Sequence, residues 1–201
     1  INNIHLVWQC KVKEPECYEV FHAVIKVGTF VPPNPFTAKE VKNLSRDKSK
    51  HSLVPAIAIN HYDGDPFKNQ QIHVVWQQEK GSERGRYSEV YYMRSIDSGK
   101  IFKGPQASSN WIPDNITKTE RDSQMPSIAC ALDTFLGFPY SYDGHDCSYE
   151  SKDVHVAYNE DVGVDMNIFY LRSPYNGNSW NVPINVTDET SPEHWQPNDI
   201  Y

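Results

Sequence analysis

The chain has 201 residues, 38% hydrophobic, 12% aromatic and 22% charged, which is enough for one substantial core. A formal net charge of −7, with its lysines and arginines scattered, argues against nonspecific binding to nucleic acid or anionic membrane, which needs basic patches. No apolar run approaches the ~20 residues that span a bilayer, and no stretch keeps a helical period. The chain opens at Ile1 rather than Met and shows no secretory leader, so it reads as processed or partial.

In chain order, the first predicted strand carries IHLVWQ (4–9) and the second EVFHAV (19–24). Between them Cys10 and Cys17 flank the charged loop KVKEPE. A short turn, VIKVGTF (24–30), leads to a run ending in NLS (43–45). The next strand holds PAIA (55–58), followed by the loop NHYDGDPFKNQQ (60–71). IHVVWQ (72–77) and EVYYMR (89–94) then predict two more strands, with GSERGRYSE (81–89) at their connection. RSIDSGKIF (94–102) is a tight turn, and the unit ends in NIT (115–117). PSIA (126–129) opens the same series again, with VHVAYN (154–159), NIFYLR (167–172), RSPYNGNSW (172–180) and NVT (185–187). QPNDIY (196–201) begins another round.

Four motifs thus recur in one order at one spacing. The prolines at 55, 126 and 197 are 71 and 71 residues apart, and the Asn-x-Ser/Thr triplets 72 and 70 apart. The segments are short, rich in Val, Ile, Tyr, Phe and Trp, and punctuated by Gly, Pro, Asn and Asp, as antiparallel strands are. Four strands per unit, repeated radially, predict an all-β fold, a β-propeller of ~70-residue four-stranded blades. The units are 1–50, 51–121 and 122–192, with 193–201 starting the next blade. About three blades are too few to close a ring, since closures use ~4–8. The expectation is therefore a segment of a six- to eight-bladed ring. The other possibility is two copies closing six blades, with Pro197–Tyr201 of one chain completing the first blade of its partner.

Ser95, Asp97, Gly99 and Phe102 spell Ser-x-Asp-x-Gly-x-x-Phe. That pattern resembles the Asp-box, or bacterial neuraminidase repeat, of sialidases and other secreted propellers. The surrounding order, Pro-x-Ile-Ala to Val-Val-Trp to Tyr-Tyr-x-Arg-Ser to Asn-x-Ser/Thr, resembles the arrays of bacterial secreted Asp-box proteins over essentially the whole chain. The third unit is a partial match: Ser173, Gly177 and Trp180 are kept, but Tyr175 stands in the place of Asp97. The first unit keeps only Gly28 and Phe30. The resemblance implies a structural turn remote from any catalytic centre. An Asp on such a turn accepts backbone N–H groups, and a Gly supplies positive φ.

For a sialidase the resemblance also implies three arginines gripping a carboxylate, a tyrosine nucleophile with a glutamate partner, and an aspartate acid–base. The Arg-Ile-Pro signature is absent: LVP (53–55) and SQMP (123–126) carry no arginine. Of the arginines at 46, 84, 86, 94, 121 and 172, Arg94 and Arg172 lie at the Asp-box end. Arg84, Arg86 and Arg121 fall on the opposite face and read as solvated loop charge. No catalytic residue is assigned. His5, His73 and His155 share one repeat position and read as packing within the blades.

Other candidates are local. Cys10–Cys17 and Cys130–Cys147 read as loop-stapling disulfides ahead of free buried thiols, which would place the chain in an oxidising compartment: extracellular, periplasmic or at the cell surface. Asp63, Asp65, Asp143 and Asp146 are oxygen donors on Gly-containing loops, of the type that Ca²⁺ prefers, although plain turn chemistry explains them as well. No other cofactor is expected. Phe135, Phe138 and Tyr140 read either as a contact surface or as a satellite core. The Asn-x-Ser/Thr triplets are formal glycosylation sequons that also recur simply because the unit recurs. The expected function is a non-catalytic binding or scaffold module for a protein, a glycan or another copy of itself. The alternative is a sialidase-type glycoside hydrolase or a fragment of one.

Overall fold

The structure is a computed structural model that describes residues 3–13, 16–26, 39–47, 49–61, 70–82, 85–107, 109–131 and 153–187. Among these residues the fold is all-β, without helices. Three antiparallel sheets follow one another along the chain. The first has β1 (Asn3–Val12), β2 (Cys17–Lys26) and β3 (Lys39–Asn43). The second has β4 (Ser52–His61), β5 (Gln70–Ser82), β6 (Gly85–Ser95) and β7 (Asp114–Asn115). The third has β8 (Ser123–Cys130), β9 (Val154–Asp161), β10 (Met166–Ser173) and β11 (Ile184–Asn185). Each is a simple meander, neighbours in sequence being neighbours in the sheet.

Side-chain alternation along the strands decides which residues meet. Ile72, Val74 and Trp76 of β5, with Tyr91 and Met93 of β6, face the first sheet and form one core with Val20 and Leu44. The intervening residues Val75, Val90 and Tyr92 face the third sheet and form a second core with Val156, Tyr158 and Leu171. The central sheet is therefore buried on both faces, while each outer sheet has one covered face. This is why 71–76 reads as an unbroken buried run whereas β9 alternates.

The prolines of the Pro-x-Ile-Ala strands sit in bulges. Register slips between Leu53 and Ala56 and between Gln124 and Ser127. A proline cannot donate to the ladder, and a bulge excuses it. The residue before each proline, Val54 or Met125, takes positive φ, 50° and 51°. Its N–H is caught by the preceding sheet: Val54 N donates to Gln9 Oε1 at 2.7 Å, and Met125 N to Gln77 Oε1 at 3.1 Å. Gln9, Gln77 and Asn159 occupy one repeat position, so the latch was visible in the sequence as a conserved-looking column of amides.

The Cys10–Cys17 staple is not formed. Cys10 pairs with Glu19 and Cys17 with Val12, so the two cysteines are a diagonal pair on the hairpin. Such diagonals lie about 7–8 Å apart, beyond ordinary disulfide reach. Cys10 is exposed and Cys17 buried, both as free thiols. Cys147 lies outside the described residues, and no disulfide is present among those described.

Candidate functional site

The turn after β6 closes on its own side chains. Ser95 Oγ donates to Asp97 Oδ1 at 2.6 Å and accepts from Gly99 N at 2.9 Å. Asp97 Oδ1 also accepts the N–H groups of Lys100 and Ile101, both at 3.0 Å. Ser98 and Gly99 carry positive φ, 59° and 84°. In the third sheet Gly177 N donates to Ser173 Oγ at 2.8 Å, and Asn176 and Gly177 repeat the left-handed pair. Tyr175, in the place of Asp97, is exposed and contributes its carbonyl to Asn178 N instead.

Both turns are also clamped from the preceding sheet. A Cβ on Gly99 would lie 3.0 Å from His22 Cε1, and one on Gly177 only 1.8 Å from Tyr92 Oη. His22 and Tyr92 hold the same repeat position, so each turn glycine seats on the equivalent ring. The turn aromatics follow: Phe102 packs edge-on to His22 at 4.8 Å between centroids, and Trp180 to Tyr92 at 5.0 Å. Lys42 Nζ donates to Gly99 O at 2.6 Å, and Arg94 donates to Asn176 O and Asn178 Oδ1. Ser95, Asp97, Gly99 and Phe102, and likewise Ser173, Gly177 and Trp180, are thus brought together as rivets between sheets.

The repeated histidines pair with the next strand. His5 Nδ1 lies 3.0 Å from His22 Nε2, His73 Nδ1 2.7 Å from Tyr92 Oη, and His155 Nδ1 2.7 Å from Tyr170 Oη. Burial lowers His22 to about 3, helped by His5 and Lys42. Burial, with Arg94 nearby, lowers His73 to about 3 as well. Tyr92 is driven well above its ordinary value by the same burial. His22, His73 and Tyr92 are neutral packing groups that hydrogen-bond across strands.

The Asn-x-Ser/Thr triplets have a structural role. Ser45, Thr117 and Thr187 accept the N–H of Val20, Val90 and Ile168 through their hydroxyls, each at 3.1 Å. Asn43, Asn115 and Asn185 accept from the backbone just downstream. Asn43 and Asn115 also donate to the buried carboxylates of Glu19 and Glu89. Asn167 replaces that glutamate in the third unit.

The arginines do not converge on one point. Arg46 stacks 4.2 Å over Trp111, Arg121 lies 3.6 Å from Glu160, Arg172 pairs with Asp153 at 2.6 Å, and Arg94 holds the third-sheet turn. Arg86 is exposed at the start of β6, and Arg84 lies outside the described residues. Asp63, Asp65, Asp143, Asp146, Phe135, Phe138 and Tyr140 also lie outside them. Among the described residues no three His, Cys, Asp or Glu side chains gather as a metal site. A polar groove of about 230 Å³ runs between the ends of β7 and β11, walled by Asp114, Asn115, Lys118, Trp180 and Asn181.

The remaining surfaces are the outward sheet faces. Ile4 and Leu6 of the first sheet and Met166, Ile168, Ile184 and Val186 of the third are exposed. Comparisons with known proteins return no matching family model, no matching curated protein and no matching solved structure.

Proposed function

We propose that this chain forms consecutive blades of a β-propeller that acts as a non-catalytic binding or scaffold module for a protein or glycan, outside the cell, in the periplasm or at the cell surface. The observation that carries the reading is the repeated junction. Twice, a turn glycine and aromatic of one sheet seat on the same ring position of the sheet before it, and the same proline latch joins the same two sheets. A junction repeated with one geometry supports stacking of the sheets about a common axis, and four-stranded meanders stacked radially make a propeller. The Asp-box resemblance supports the same architecture.

The binding reading follows from where the polar chemistry is used. The three repeated histidines bond to rings on the adjoining strand, both turns close on their own side chains, and four arginines are engaged by aromatic, acidic or backbone partners, so the free surfaces are the sheet faces, the groove beside Trp180 and the loops. Function on such folds lives in surfaces of this kind. The compartment rests on the resemblance and on Cys130–Cys147, the first cysteine pair being unjoined. The test is incubation of the purified chain at micromolar concentration with a fluorogenic sialoside. The substrate is expected to remain intact over hours; turnover above the blank would overturn the reading in favour of a glycoside hydrolase.

A further inference from the structure

Equivalent residues in the three sheets have very different exposures. Leu44, Ile116 and Val186 stand at one repeat position, each next to the residue whose hydroxyl accepts a backbone N–H from β2, β6 or β10. They are 0%, 7% and 46% exposed. Val20, Val90 and Ile168 are 0%, 0% and 45%. The reverse series runs through Ile4, Ile72 and Val154, at 46%, 0% and 0%. The third sheet therefore ends on the face that the second sheet covers in the first, and the first sheet opens with the face that the third sheet uses to cover the second. One face is the counterpart of the other. The first sheet also leaves β1 paired on its β2 side alone among the described residues, whereas β5 and β9 have β4 and β8 beside them.

From this continuation of the two internal junctions we infer that a second copy of the chain docks head to tail, its first sheet stacking on the outward face of the third sheet of its partner. The inference rests on the propeller reading and names its partner. Two such contacts join three sheets to three, and six lies within the ~4–8 that close a ring. The face left open on the third sheet keeps the docking groups of the internal junctions: the His155–Tyr170 pair, Arg172 at the position of Arg94, and Asn159 at the position of Gln9 and Gln77. A head-to-tail contact of this kind either closes or grows into an open filament, and a rotation of a half turn closes it at two copies.

Sedimentation equilibrium from about 1 to 100 µM tests the inference. The expected mass is twice the 23.1 kDa of one chain, about 46 kDa. Leu6→Glu on the first sheet and Ile168→Glu on the third each place a charge in both contacts of a homodimer, and each is expected to weaken association on the order of 100-fold. Both side chains are exposed in one chain, so circular dichroism should show the sheets retained; Val186→Glu is a second variant of the third-sheet face. Mixing Leu6→Glu with Ile168→Glu leaves one of the two contacts wild type and should restore the 46 kDa species in part. A mass of 23.1 kDa throughout, with the sheets intact, would overturn the second copy while leaving the propeller reading in place. A dimer indifferent to Ile168→Glu would also overturn it, because the first-sheet face would then be pairing with itself. Masses growing past the dimer would refute ring closure, and with it the propeller reading.

Discussion

Tyr92 Oη lies 2.7 Å from His73 Nδ1, and both side chains are buried where the second and third sheets meet. His155 and Tyr170 make the same contact at the same 2.7 Å on the open face of the third sheet. One pair is enclosed and the other half-buried, so the same chemistry carries different weight at the two positions.

Removing one hydroxyl from each pair should show this. Tyr92→Phe strands a buried imidazole nitrogen whose ring already has Nε2 unpartnered, and is expected to cost about 1–3 kcal/mol. Tyr170→Phe leaves a nitrogen that water can reach, and should cost under about 1 kcal/mol. Denaturant titration of the two variants measures the difference, and equal costs would contradict the burial argument.

Acid should destabilise the fold through His22 and His73. In the unfolded chain each takes up a proton near pH 6.5, whereas in the folded chain burial delays this to about 3. The unfolded state therefore binds more protons between these limits, and stability is complete above about pH 6.5 and falls as the pH drops. At pH 5 the loss is roughly 2 kcal/mol for each ring. Unfolding free energies at pH 5, 6, 7 and 8 test this, and His73→Gln should reduce the slope by nearly one proton.

The turn glycine and the turn aspartate should differ in what they cost. Gly177→Ala meets both a positive φ of 78° and the Tyr92 hydroxyl, and is expected to lose about 2–4 kcal/mol. Asp97→Ala removes an acceptor for two backbone N–H groups in a half-buried turn, a loss of about 1–3 kcal/mol, without changing binding by the folded protein. Lost binding at an unchanged melting temperature would mean that Asp97 serves a ligand rather than its turn.

The thiols should react unequally. Cys10 is exposed, whereas burial raises Cys17 and pushes Cys130 up to about 12. Only the thiolate is nucleophilic. Brief treatment of the native protein with iodoacetamide, followed by peptide mass mapping, should find Cys10 alkylated and Cys17 and Cys130 largely unmodified. Alkylation blocked at Cys10 until a reductant is added would restore the disulfide reading.

Strand order and the self-bonded turn from Ser95 to Phe102 were legible because both are local. Alternation, turn residues and spacing act within a few residues of one another, and Ser95, Asp97 and Gly99 bond to each other. The Cys10–Cys17 staple was misread because proximity in sequence was taken for pairing, while register places Cys10 opposite Glu19. Lys42 and Arg94 were missed as turn clamps because their acceptors, Gly99 and Asn176, lie 57 and 82 residues further along.

The sequence by itself determined the repeating unit: four strands, a self-bonded turn and an Asn-x-Ser/Thr ending, each set by short-range periodicity and turn chemistry. The tertiary structure alone decided which copy of each residue is buried. Ile4 and Ile72 are the same residue in the same local setting, one exposed and the other enclosed. The difference lies in whether another sheet stacks on that face, and stacking is a contact between units that no local pattern encodes.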